Sequence, residues 1–190
     1  MYQIGITLLL YLSTLILTSY TLRKKGAVFQ VRLQSLILFL LSLGLYFTFK
    51  VGFSLKISFP LWYVFFPIII YNLFAKDTTM NINAKGLFIP MVILYPAAEE
   101  MVFRGIILYH TGLSYNACIL NGLIFSLAHF VNYFSKVEKV SYVVVMIRFV
   151  LGTFLAMTVK MSGGSIFPPL FYHILLNLSG FISLRHQSIR

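Results

Sequence analysis

Carboxylates are nearly missing from this chain. Of its 190 residues only Asp77, Glu99, Glu100 and Glu138 are acidic, against fifteen Lys and Arg. A soluble domain draws its shell from charged residues that make up roughly a quarter of its sequence; here 10% are charged and 59% hydrophobic, which excludes that class. The single cysteine, Cys118, rules out an internal disulfide and a cysteine-based zinc site, and its apolar neighbours make it a small core residue. The net charge of +11 does not build a nucleic-acid surface, because the basic residues fall as short clusters between apolar runs, where membrane topology accounts for them. No nucleic-acid partner is expected. The aromatic residues read as lipid and helix contacts.

What is present is hydrocarbon-compatible sequence in long runs. A helix needs about 20 apolar residues to cross a bilayer core of roughly 30 Å, and seven segments qualify or nearly so: 2–22, 33–49, 60–75, 87–109, 114–134, 141–160 and 165–184. The expected fold is all-α, a polytopic integral membrane helix bundle of about seven transmembrane helices with a buried polar cavity. The third segment is short, and its aromatic "LWYVFFPIIIYNLF" suits a tilted or interfacial path. The first lacks a basic residue before its apolar core, so it reads as a retained span and not as a cleaved signal. Placing the N-terminus outside puts Arg23, Lys24, Lys25, Arg32, Lys76, Lys85, Lys136, Lys139, Arg185 and Arg190 on the inner side, against Lys50, Lys56 and Lys160 outside. The positive-inside rule then gives N-out, C-in, a multi-pass protein of the cell (plasma) membrane with lipid as its first partner. "MSGGS" at 161–165 reads as a tight hairpin.

Ionisable groups inside spans cost on the order of 2.5–3.5 kcal/mol each on insertion scales, so each asks for a reason. "YPAAEEMVFRGIILYH", residues 95–110, holds two of the four acids and an arginine. Glu100 and Arg104 are four apart, share a helix face and can pair. Glu99 is rotated about 100° away and is free to point elsewhere. Phe125 and His129 repeat the four-residue spacing on the fifth span, His173 and Asn177 on the seventh. Three helices thus each bring a polar group that can converge on one cavity. No Ser–His–Asp arrangement is present, since Ser126 lies on another helix face from His129. A carboxylate with two imidazoles can activate water directly or through a bound metal, and two His with one Glu is also a catalytic zinc set. Asn and imidazole can donate hydrogen bonds to an oxyanion. Hydrolysis of an amide or similar bond is the chemistry these groups share.

At these residues the chain resembles the CAAX-processing and bacteriocin-processing (CPBP, or ABI) intramembrane proteases. The resemblance rests on "EEMVFRG" at 99–105, "FSLAH" at 125–129 and "HILLN" at 173–177, the last preceded by "GSIFPPLFY". It covers roughly residues 87–180. The resemblance implies that Glu99 is the catalytic carboxylate and activates water with His129. It implies that Glu100 and Arg104 orient Glu99 from behind, and that His173 and Asn177 stabilise the oxyanion or help bind a metal. A divalent metal such as Zn²⁺ on Glu99, His129 and His173 and a metal-independent glutamate mechanism both stay open. Related eukaryotic members remove the last three residues of prenylated CAAX proteins. Bacterial members are linked to bacteriocin maturation or immunity, so the implied substrate is a membrane-associated, lipidated or bacteriocin-like peptide. The implied organisation is a variable N-terminal membrane part, 1–86, a catalytic core, 87–184, and a cytoplasmic tail, 185–190.

Other readings compete. Glu100–Arg104 reads as a structural ion pair, Phe125 as packing that shapes the pocket wall, and Arg148, which matches no motif, first as a snorkelling residue, with a lipid phosphate or a substrate carboxylate as its alternative partners. A proton-coupled transporter would also use buried Glu and His, though no internal repeat is visible. A non-catalytic immunity or scaffold protein would use the polar cluster only to lock helices. In straight helices Glu99 and His129 would sit at different depths. They meet if the spans tilt, the fifth span runs on, or Pro90 and Pro96 break the fourth; the last two are expected.

Overall fold

The computed structural model describes residues 2–49, 51, 54, 56–74, 86–134 and 141–187. Among them are seven helices and no strand: α1 (Tyr2–Leu22), α2 (Ala27–Thr48), α3 (Trp62–Phe74), α4 (residues 88–111), α5 (Tyr115–Ala128), α6 (Tyr142–Met161) and α7 (Phe167–Gln187). The expected all-helical membrane bundle is what forms. α1, α2 and α6 are each long and apolar enough to cross a membrane, and α3 and α5 are shorter apolar helices. The loop charges Lys76, Asp77, Lys85, Lys136, Glu138 and Lys139, together with Lys50 and Arg190, lie outside the described residues.

The second span begins at Ala27, six residues before its predicted start at 33. Arg32 does not end the apolar helix. Its stem stays within it while its Nε donates to the Gly86 carbonyl at 3.2 Å. Gly26, at φ 93°, makes the break instead, between a single 3₁₀ turn at Arg23–Lys25 and α2. The 161–165 turn is as tight as expected, with Gly163 and Gly164 both at positive φ, a conformation that favours glycine.

α4 departs from expectation in an instructive way. Pro90 and Pro96 do not break it; they widen it. Ile89–Leu94 and Glu100–Ile107 are π-helical, separated by the α-helical turn Tyr95–Glu99, and the helix closes in Leu108–Thr111. The Tyr95 N–H reaches five residues back to the Pro90 carbonyl. Pro96 has no N–H to give, so the Met91 carbonyl is left without a main-chain donor from that turn. Such widened turns are seen mostly where a helix carries a functional site.

Packing brings α4 into the middle of the bundle. It contacts α1 and α2 on one side and α5 and α7 on the other. Phe65 of α3 stacks on Tyr172 of α7 with centroids 4.3 Å apart, and Tyr11 of α1 meets Phe103 of α4 edge-on at 5.6 Å. α5 and α6 pack antiparallel at closest range, because their crossing is built on glycine. A methyl group on Gly122 would strike the Thr153 side chain and come within 2.6 Å of the Thr153 main-chain nitrogen; one on Gly152 would come within 2.8 Å of Phe125 Cδ1. Small residues let membrane helices approach this closely. Gly122→Ala is therefore expected to lower stability by about 1–3 kcal/mol, the usual range for overpacking. Gly5→Ala, where nothing lies within 4 Å of the added methyl, is the matched control. Thermal unfolding in detergent checks the pair, and equal midpoints would remove the argument.

Candidate active site

Four helices meet around two neighbouring carboxylates that the fold treats differently. Glu100 and Arg104 are 0% and 1% exposed, whereas the side chains of Glu99, His129 and His173 keep 14%, 13% and 10%. One carboxylate is sealed into the core. The other can still be reached.

The sealed acid pairs as its spacing predicts, with Arg104 Nη1 3.2 Å from Glu100 Oε1. Arg104 then ties three helices together. Its Nη2 donates to the Gly152 carbonyl of α6 at 3.0 Å, and its guanidinium lies 4.3 Å over the Phe125 ring of α5. The glycine after it, Gly105, is required by close approach: a Cβ there would come within 2.5 Å of Tyr46 Cε2 on α2. Glu100 Oε1 also accepts from His173 Nδ1 at 2.7 Å, joining α7.

That hydrogen bond sets the histidine. With its Nδ1 proton given to a carboxylate, His173 turns Nε2 outward, 3.5 Å from Glu99 Oε2. His129 repeats the device from α5. Its Nδ1 lies 2.8 Å from the Phe125 carbonyl, which can only accept, so Nε2 carries the lone pair and faces Glu99 Oε1 at 3.6 Å. Neither gap is a direct hydrogen bond. Each suits a shared water. The depth problem disappears because α5 runs on as a 3₁₀ segment from His129 to Phe134 and α4 is widened, not broken.

The other sequence candidates fall close by. Phe125 forms the wall, its centroid 4.5 Å from His129, 6.1 Å from His173 and 5.2 Å from Phe103. Asn177 Nδ2 donates to the Met91 carbonyl at 2.9 Å, the very group that Pro96 leaves without a partner. One of its two amide protons is thus committed to holding the widened turn before Glu99. As to metal binding, the two imidazoles address different oxygens of Glu99. Among the described residues no three His, Cys, Asp or Glu side chains group closely enough to hold an ion. A crevice of about 20 Å³, room for one water, lies beside Arg104, Tyr109 and Ile166, but it touches none of Glu99, His129 or His173. The chemistry is placed where the donors converge, not where the crevice is.

Residues outside the motifs also shape the site. Tyr95, one turn before Glu99, donates to Gln34 Oε1 at 2.8 Å, and Gln34 Nε2 donates to Thr18 and Ser19 of α1, both at 2.9 Å. Asn121 Nδ2 donates to the Phe103 carbonyl at 2.6 Å. Attention to charged residues alone passes over these; uncharged amides inside apolar spans are the signal that finds them. Arg148, on α6, is partly buried.

A partly accessible carboxylate faced by two imidazoles thus lies inside a helical membrane bundle. The family model described as Type II CAAX prenyl endopeptidase Rce1-like matches residues 81–179, which hold every one of these groups. The chain belongs to that family and is an integral membrane protein of the CAAX-type intramembrane endopeptidase kind. No curated protein and no solved structure matches it.

Asn177→Ala leaves the Met91 carbonyl without its donor. The expected loss is about 1–2 kcal/mol, as for interhelical hydrogen bonds in membranes, with faster amide exchange over residues 89–99. Unchanged exchange in that segment by mass spectrometry would contradict the assignment.

Proposed function

We propose that this chain hydrolyses peptide bonds of membrane-associated substrates with water activated by Glu99. One observation carries the reading: an accessible carboxylate, Glu99, has two imidazole nitrogens aimed at it, each fixed by a hydrogen bond on the opposite side of its ring. A transporter or a structural cross-link leaves that double orientation without a purpose.

The steps balance within the observed groups. A water between Glu99 and His129 gives its proton to Glu99 as its oxygen attacks the substrate carbonyl. The carbon becomes tetrahedral and its oxygen takes the negative charge. Collapse breaks the C–N bond, and the proton held on Glu99 passes to the leaving nitrogen. His173, locked by Glu100, can accept a hydrogen bond from protonated Glu99, which steadies the intermediate state. The family resemblance gives oxyanion stabilisation to His173 and Asn177, and the second amide proton of Asn177 is the one that would serve there. Glu99, His129 and His173 supply donor types suited to zinc, and the direct glutamate mechanism is the reading proposed here.

The family description names prenylated CAAX substrates, and a lipidated or bacteriocin-like peptide is the substrate class proposed here. The loop charges favour N-out, C-in in the plasma membrane, with residues 87–184 as the catalytic core and α1 and α2 as its supporting wall. Glu99→Gln in purified protein is expected to slow cleavage of a quenched, farnesylated CAAX peptide by about 10³-fold, within the range for a lost general base, without a change in unfolding temperature. A zinc chelator is expected to leave the wild-type rate alone. Wild-type cleavage by Glu99→Gln would reject the mechanism.

A further inference from the structure

Glu99 ends a short α-helical turn set between two widened segments. A π-helical segment interrupts the regular hydrogen-bond period, so the face shown on one side of it does not fix the face on the other. Contacts from outside α4 must then set how that turn is rotated. Towards α7 the anchors are Asn177 on the Met91 carbonyl and His173 on Glu100. Both hold from one side of the bundle. From the other side, α1 and α2 hold the turn through Tyr95.

Tyr95 and Glu99 are four residues apart in the α-helical turn and share a face. The Tyr95 hydroxyl donates to Gln34 Oε1 at 2.8 Å. Gln34 is buried in α2, and its Nε2 lies 3.1 Å from the Leu15 carbonyl, 2.9 Å from Thr18 Oγ1 and 2.9 Å from Ser19 Oγ. A carbonyl can only accept, so the Leu15 contact fixes which end of the amide faces α1. Thr18 agrees, because its own hydroxyl proton goes to the Thr14 carbonyl at 2.7 Å. The oxygen of Gln34 is therefore held towards Tyr95, and the bonds run with one polarity from α4 through α2 to α1.

The geometry points to Gln34 as a positioning residue for this hydrolysis: through Tyr95 it fixes the rotation of the turn that presents Glu99. The inference rests on the peptidase reading above and deepens it. It gives a part in the reaction to α1 and α2, which lie outside the matched residues 81–179. Packing alone does not ask for this residue, since an amide in an apolar span must be bonded and a leucine need not be. The donors of Gln34 suffice to join α2 to α1; its oxygen is the part turned to α4. Neither imidazole beside Glu99, at 3.5 and 3.6 Å, is close enough to clamp the carboxylate by itself.

The test uses the full-length protein in proteoliposomes with the quenched farnesylated peptide. Tyr95→Phe removes the hydroxyl and keeps the ring; Gln34→Leu removes the amide and keeps most of the volume. Each is expected to lower kcat by about 10-fold with KM within about twofold of wild type, a smaller loss than the roughly 10²-fold that a 1 Å misplacement can cause. The double variant is expected to be no slower than the slower single one, because both changes break the same link. Ser42→Ala is the control: its buried hydroxyl donates within α2, to the Leu38 carbonyl, and its loss is expected to leave kcat alone. Unfolding midpoints are measured for every variant, and Gln34→Met replaces Gln34→Leu in the cycle if the latter unfolds. Wild-type kcat in Tyr95→Phe overturns the proposal. So do losses that multiply in the double variant, a loss confined to KM, or an equal loss in Ser42→Ala. The underlying reading fails separately, since an active Glu99→Gln removes the mechanism itself, whereas inactive Glu99→Gln beside fully active Tyr95→Phe removes only this inference.

Discussion

The ion pair of Glu100 with Arg104 is the constraint on which the bundle is organised. Neither partner retains contact with solvent, so each would be untenable alone in such surroundings; removing one member of a buried pair costs about 3–5 kcal/mol. Four helices come together on the pair: α4 supplies both charges, α6 a carbonyl, α5 an aromatic face and α7 an imidazole. The closeness of α5 and α6 follows from the same centre. A side chain at position 152 would push Phe125 away from the guanidinium. Structural and functional demands meet at His173, whose orientation is dictated by the structural acid and whose free nitrogen serves the accessible one.

Irregular backbone is the second device. Hydrocarbon cannot hydrogen-bond a freed carbonyl, so a proline within a membrane helix needs a partner from elsewhere. Here Asn177 answers Pro96 across the bundle, and Asn121 supports the second widened segment at Phe103. Both amides link the helix carrying the two glutamates to a helix carrying a histidine. The widened turns thereby become a way of fixing Glu99 relative to His129 and His173, not a weakness in α4.

Much of this was legible before any coordinates. Lack of acids excluded a soluble domain, apolar runs located the helices to within a few residues, and four-residue spacings identified Glu100 with Arg104 and the faces of His129 and His173. The support from α1 and α2 was not legible. Gln34, Thr18 and Ser19 look like ordinary small or polar interruptions in an apolar span, and only the distance from Tyr95 to Gln34 reveals a connection to the site. Arg148 was ambiguous for a related reason. A lone cation in an apolar helix is ambiguous until the neighbouring helix is known.

Local quantities, then, belong to the sequence by itself: which segments prefer lipid, which side chains share a helix face, and which residues are too polar to be left without a purpose. They depend on neighbours within a turn or two of chain, and the order of residues specifies those neighbours. The tertiary structure alone decided which of two adjacent glutamates is sealed and which is open, which ring nitrogen faces Glu99, and which distant amide meets the carbonyl freed by proline. Those outcomes depend on the crossing distance and register of helices far apart in sequence, and such distances are a property of the packed bundle and of no single segment.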